Sequence, residues 1–266
     1  MEKTLSKIQF QENDEVKPFV LLVDDSEEIL DFIAEDLSDK YRVLKAKNGT
    51  EALSLLHQEN VQLVVSDILM PVMDGFELCE KIKGSVEFSH IPVILLTAKN
   101  TLQSKITGLE HGADAYIEKP FSPEFLQAQI SSLIKNRNKI REYFASSPLI
   151  HMKTMAYSKA DEQFLGKLHE TICRNIDNTN LDVDLLADNM NISRPTLYRK
   201  IKSVSALSPN ELINLTRLKK AAELLVEGNL KIYEISERVG FSSQTHFGRN
   251  FLKQFGMSPK EFVIHR

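Results

Sequence analysis

The chain has 266 residues, 42% of them hydrophobic and 26% charged, with a formal net charge of −4; that length favours two domains over one. No apolar run reaches the ~18 residues a membrane span needs, and no basic segment backed by a hydrophobic stretch is found near the start, so neither a span nor a secretory signal is expected. Cys79 and Cys173 stand alone, which excludes a cysteine metal site or a disulfide framework and makes a reducing, cytoplasmic setting the expectation.

In chain order, residues 1–18 are polar and charged without periodicity and are expected to form a flexible arm. Short apolar runs then read as buried strands at Phe19 to Val23, Tyr41 to Ala46, Val61 to Ser66, Ile91 to Leu96 and Ala115 to Glu118. Helical patterns separate and follow them near Glu27 to Leu37, Gly49 to His57, Phe76 to Lys83, Leu102 to Glu110 and Pro123 to Asn136. Strictly alternating strand and helix predicts an α/β, doubly wound, five-stranded parallel sheet of flavodoxin-like type over residues 19–137. Residues 138–161 mix basic residues, Ser146-Ser147-Pro148 and scattered apolars, the pattern of a linker whose first part extends the preceding helix. The rest, residues 162–266, reads as an all-α domain with two helix-turn-helix motifs. Charge divides the same way. Residues 1–150 carry 16 Lys and Arg against 24 Asp and Glu, a balance of −8, and residues 151–266 carry 17 against 13, a balance of +4, so only the second part is suited to a polyanion.

Asp24 and Asp25, Asp67, Thr97, and Lys119 before Pro120 all fall where predicted strands end. In an open α/β sheet those ends share one crevice. Three carboxylates, a hydroxyl and an ammonium would then meet. Carboxylates that close repel one another unless a hard divalent cation, most plausibly Mg2+, offsets their charge. One carboxylate is then free to attack phosphorus while Lys119 and the metal neutralise the oxyanion. Any one of these residues alone would be an ordinary strand-end turn residue; five in order, with Met70-Pro71-Val72-Met73-Asp74-Gly75 behind Asp67, form a pattern that resembles the receiver domain of a two-component response regulator. The resemblance implies that Asp67 is the phosphoacceptor, that Asp24, Asp25 and Asp67 hold Mg2+, that Thr97 and Lys119 bind the phosphoryl group, that the Lys119-Pro120 bond is cis, and that Thr97 and Tyr116 form the switch.

The second half contains a repeat. Leu197-x-Arg199-x-Ile201 recurs as Phe247-x-Arg249-x-Phe251, and Leu207-Ser208-Pro209-x-x-Leu212 as Met257-Ser258-Pro259-x-x-Phe262, both at an offset of 50. Ahead of each copy lies an amphipathic helix, Val183 to Met190 and Ile232 to Val239, then a tight turn whose Ser is a natural N-cap. Helix, short turn and helix is the geometry that places a second helix in the major groove. With Arg217-Leu218-Lys219-Lys220-Ala221-Ala222-Glu223-Leu224-Leu225 between the copies, this half is similar to an AraC-type DNA-binding domain. Leu197, Ile201, Phe247 and Phe251 share one face of the recognition helices and are expected in the core. Arg194, Pro195, Tyr198, Arg199 and Lys202 on the first helix, and Gln244, Thr245 and Arg249 on the second, are the expected DNA-binding residues. Arg199 and Arg249 occupy equivalent places, and arginine to guanine is the commonest specific base contact, a phosphate contact or an internal ion pair being the alternative.

His57, His90, His111, His151, His169, His246 and His265 show no metal-ligand spacing, and no glycine-rich nucleotide loop is present. The chain is therefore expected to be a regulator and not an enzyme, taking its phosphoryl group from a histidine kinase, separate or in the same longer polypeptide, and acting on double-stranded DNA, with a homodimer formed on phosphorylation as a further partner. The order of domains resembles the tail of a hybrid two-component protein. A phosphohydrolase working through an aspartyl-phosphate is the enzymatic alternative, but the position where such hydrolases carry a second Asp is Leu69. A receiver that only docks on a protein is a third reading, weakened by the basic repeat half.

Overall fold

The computed structural model describes residues 17–98, 111–146 and 156–264. Most of the predicted arm, the helix expected over Leu102 to Glu110, and His151 and His265 lie outside the described residues.

Five parallel strands, β1 (Phe19–Val23), β2 (Arg42–Ala46), β3 (Val61–Asp67), β4 (Val93–Thr97) and β5 (Ala115–Glu118), form one sheet in the order β2-β1-β3-β4-β5. All pairings are parallel. The central strands are buried on both faces, which is why they read as continuous apolar runs instead of alternating ones. β4 begins two residues later than its apolar run suggests, because Pro92 has no amide to give the ladder; its carbonyl still accepts from Val64 N.

Helices α1 (Glu27–Leu37), α2 (Gly49–Gln58) and α3 (Gly75–Gly84) each start on a residue whose side chain accepts from the first turn, Ser26, Asn48 and Asp74 respectively. α4 runs from Pro123 to Ser146, 24 residues or about 36 Å at 1.5 Å per residue. Leu126 and Ile130, near its start, pack in the sheet core. Phe144, about four turns beyond Ile130, is 1% exposed in the core of the second domain. Residues 138–146, the first part of the stretch expected to be a linker, thus continue this helix, which packs in both cores.

The second domain holds α5 (Lys159–Arg174), α6 (Val183–Met190), α7 (Arg194–Ser205), α8 (Pro209–Glu227), α9 (Ile232–Arg238), α10 (Gln244–Phe255) and α11 (Pro259–Ile264). Ser193 and Ser243 cap α7 and α10 as expected, accepting from Thr196 N and His246 N. Leu197, Ile201, Phe247 and Phe251 are all fully buried. The first pair belongs to a core with Leu165, Leu168 and Leu186, the second to an aromatic core in which Phe251 lies 4.4 Å from Phe255 and 5.4 Å from Phe262 by ring centroid. Each repeat copy has its own core, and α8 contributes to both.

Candidate functional site

The carboxyl ends of β1, β3, β4 and β5 bring Asp24, Asp67, Thr97 and Lys119 to one edge of the sheet. Lys119 Nζ donates to Asp24 Oδ2 at 2.9 Å and to Asp67 Oδ1 at 2.6 Å. The other oxygen of each carboxylate is held by a backbone amide, Asp24 Oδ1 by Ser26 N at 2.9 Å and Asp67 Oδ2 by Leu69 N at 2.7 Å. Both carboxylates thus have a fixed orientation and converge on a single cation. Burial alone would lower the Lys119 pKa, but hydrogen bonds and charge from Asp67 and Asp24 outweigh it and hold the ammonium above its ordinary range.

The Lys119 side chain is 23% exposed against 5% for Asp24 and 12% for Asp67, so the cluster is open at its cationic side. Asp25 is exposed, and among the described residues no three His, Cys, Asp or Glu side chains converge as a metal cluster. Two carboxylates already sharing one cation still fit magnesium, which takes one or two protein carboxylates and completes its shell with water and phosphate oxygens. Thr97 is buried beside them, and its carbonyl accepts from Lys119 N at 2.8 Å. The Lys119-Pro120 bond is cis.

Behind Asp67, the loop to α3 makes a close return. Gly75 N donates to Ile68 O at 2.9 Å, and a Cβ at Gly75 would collide with the Asp67 carbonyl. Only glycine lets α3 start against the end of β3. Val72, in the same loop, is 83% exposed with φ at +71°, a strained backbone for a β-branched residue. Tyr116 is half-buried near Phe76, at 6.5 Å between centroids, with its hydroxyl making no hydrogen bond among the described residues; burial, then Cys79, pushes its pKa up to about 12.

The eight residues expected at DNA are all exposed, on α7 (Arg194, Pro195, Tyr198, Arg199, Lys202) and on α10 (Gln244, Thr245, Arg249). The two helices are nevertheless held differently. Arg199 Nη2 lies 2.5 Å from Glu87 Oε1 in the segment between α3 and β4, while Arg141 of α4 donates to the Lys202 carbonyl. Next to Arg199, Lys200 is fully buried, its Nζ donating to Asp161 Oδ1 at 2.5 Å and to Ser89 Oγ at 2.8 Å. Glu87, Ser89, Asp161 and Lys200 were missed from the sequence. Lys200 did carry a signal: it follows Leu197 by three and precedes Val204 by four, on the apolar stripe, where a charge must find a partner.

The chain matches the family model described as response regulator receiver domain over residues 20–131 and that described as helix-turn-helix domain over residues 186–263. The chain thus joins a response regulator receiver domain to an AraC-type helix-turn-helix domain. Across both domains it is 39% identical to histidine kinase P4 of Formosa agariphila over 246 residues, 92% of this chain and 18% of that protein. The receiver domain is 44% identical to the probable transcriptional regulator ycf27 of Guillardia theta over 126 residues, 47% of this chain and 48% of that one. A receiver domain of a signal transduction histidine kinase from Syntrophus aciditrophicus is 34% identical, covering 45% of this chain and 91% of that chain, with a TM-score of 0.43. The chain thus spans about a fifth to a half of the length of these curated relatives. Among its described residues, no helix is long and apolar enough to cross a membrane.

Proposed function

We propose that the chain is a phosphorylation-controlled, sequence-specific DNA-binding transcription regulator, in which a histidine kinase passes its phosphoryl group to Asp67. The observation that supports this best is the orientation of Asp67. One of its oxygens lies on Lys119 Nζ at 2.6 Å and the other on Leu69 N at 2.7 Å, so the carboxylate is aimed, and its site is partly exposed on the Lys119 side. The attacking oxygen is poised beside the ammonium that neutralises charge on the incoming phosphoryl oxygens. Thr97, on the neighbouring strand, supplies a hydroxyl for the same group, and Asp24, with Asp25 beside it, shares with Asp67 the task of holding Mg2+. When bound, that ion adds a second positive charge at the phosphoryl oxygens.

Thr97 and Tyr116 carry the switch, and the output is read by α7 and α10. Two recognition helices in one chain address successive major-groove segments about 34 Å apart, so one chain protects about two turns of duplex. Its likeness to a much longer histidine kinase supports the further reading that this unit operates as the receiver and output part of a hybrid system. The test is incubation with a small phosphodonor and magnesium, followed by intact-mass measurement. One phosphoryl group per chain, lost with chelator, is the expected result; catalytic release of phosphate without accumulation would favour the hydrolase reading instead.

A further inference from the structure

We infer that Arg217, wedged with Gly240 between the two helix-turn-helix units, is a positioning residue that fixes the angle between α7 and α10 and so the spacing of the two half-sites one chain reads. This rests on the reading of both helices as DNA-binding and adds what sets their separation.

The two units have separate cores, and α8 serves both, turning Leu212, Ile213 and Leu215 to the first and Leu218, Ala221 and Leu225 to the second. Arg217 sits at the step between them. Its Nη2 donates at 2.5 Å to the carbonyl of Asn178, in the turn 175–181 that leads into α6 of the first unit. That carbonyl also accepts from Leu181 N at 3.0 Å, so the anchor is itself held in place. The same guanidinium lies against Gly240, in the turn between α9 and α10 of the second unit, where a Cβ would collide with Arg217 Nη2 and with the Ile176 carbonyl. Gly240 has φ at +76°, which side chains with a Cβ rarely adopt. Turns from different units thus meet, with Arg217 between them. A second tie joins the same elements: Asn214 of α8 donates from Nδ2 to Asn250 Oδ1 on α10 at 3.2 Å, and Asn250 Nδ2 donates to the His246 carbonyl at 2.8 Å.

Arg217 is half-buried with no carboxylate partner among the described residues; its Nε makes no hydrogen bond among them, and burial lowers its pKa. A guanidinium held this way gains little net stability against its desolvation. Its contribution is directional. A planar fork keyed to a carbonyl on one side and to a bare glycine on the other resists a rocking of the units that one shared helix would permit. At a lever arm of about 17 Å, half of the roughly 34 Å between successive groove segments, a tilt of about 10° displaces a recognition helix by about 3 Å, close to one base-pair step. The wedge therefore decides between spacings that differ by a single base pair.

The test uses the full chain and a duplex selected by the parent from random sequence, with versions in which the stretch between its two half-sites is longer or shorter by one base pair. Arg217→Lys keeps the charge and stem without the fork, Arg217→Met keeps the stem alone, and Lys220→Met removes a charge from an exposed site on the same helix. The parent should prefer its own spacing by about tenfold, because a wrong spacing forfeits contacts of one half-site or requires the DNA to twist. In Arg217→Lys and Arg217→Met that preference should shrink several-fold, while affinity for a duplex carrying the first half-site alone stays that of the parent. Lys220→Met should keep the parent's profile. Arg217→Lys, with its long stem in the same space, carries the test if Arg217→Met does not fold. Loss by one common factor on every duplex, the single half-site included, would make Arg217 a merely stabilising residue and overturn the positioning role. An unchanged spacing profile, or a parent indifferent to spacing, would overturn it too. A parent that selects no duplex would instead overturn the DNA reading beneath it.

Discussion

Two lysine–carboxylate clusters sit beyond opposite ends of β4, and they are built in opposite ways. At the carboxyl end, Lys119 bridges Asp24 and Asp67 and is 23% exposed; at the amino end, Lys200 and Asp161 are both 0% exposed with Ser89 sealed against them. Burial affects the two ammonium groups unequally. For Lys119 it is outweighed by two carboxylates, and the pKa rises; for Lys200 burial dominates over the charge and hydrogen bond of Asp161, and the pKa falls. A site that must accept phosphate and a metal needs an open cation, whereas a contact between domains gains specificity by excluding water from both partners. On the proposed reading, the same kind of residue pair serves phosphoryl chemistry at one end and registry at the other.

The largest expected effect is at the open cluster. Asp67→Asn keeps shape and loses the nucleophile, so phosphoryl uptake should vanish from the intact-mass spectrum while the circular dichroism stays that of the parent. Uptake at the parent's rate would move the acceptor elsewhere.

Stability should report the sealed cluster instead. Removing one member of a buried pair costs about 3–5 kcal/mol, so Asp161→Ala should lower the chemical stability of the AraC-type domain by that order. Lys119→Ala should cost about 1 kcal/mol or less once magnesium is present, because solvent and the metal replace the ammonium. Equal losses in urea titrations would erase the contrast between open and sealed.

A third expectation concerns the two recognition helices. Arg199→Ala should cost roughly 1–3 kcal/mol on a selected duplex and little on a scrambled one, whereas Lys202→Ala should weaken both and reduce the salt slope by about one. Equal losses for Arg199→Ala on both duplexes would demote it to a phosphate anchor.

The smallest effect is a pH dependence. Burial, then the positive charge of Lys200, holds the His90 pKa well below its ordinary value of 6.5, and its neutral ring lies 3.5 Å from Lys200 Nζ. The folded form therefore binds fewer protons than the unfolded one. Its stability is fully present above pH 6.5 and is lost as pH falls below that value, by on the order of 1 kcal/mol at pH 5.5 for this partly buried ring. Hydrogen exchange at residues 85–91 should accelerate between pH 7.5 and 5.5, after correction for intrinsic rates, in the parent but not in His90→Asn; parallel behaviour would assign the change to another histidine.

Most of the fold was legible because its signals are local. Buried strands read as apolar runs, and Ser193 and Ser243, in the turns ahead of the repeat copies, marked where both recognition helices start. Strand-end geometry also let Asp24, Asp67, Thr97 and Lys119 be grouped from sequence. Asp25 was grouped with Asp24 as the acidic pair at the end of the first strand and, through the resemblance, as a metal holder; nothing local told which of the pair turns inward. The interface was illegible for the opposite reason: Ser89 meets residues 72 and 111 positions away, and no pattern within a helix or strand encodes such a pairing. Phe144 lay between, since its spacing from Arg137 and Ile140 continues the helical period even though the composition reads as a linker.

The central claim, that phosphorylation of Asp67 controls DNA binding by this chain, is tested most directly by one titration. Parent and Asp67→Asn are each titrated onto a duplex selected from genomic DNA, before and after treatment with phosphodonor and magnesium. The account expects the treated parent to bind several-fold more tightly than the untreated one, and Asp67→Asn to bind alike in both conditions. A treated parent that carries one phosphoryl group by mass yet binds no differently would contradict it.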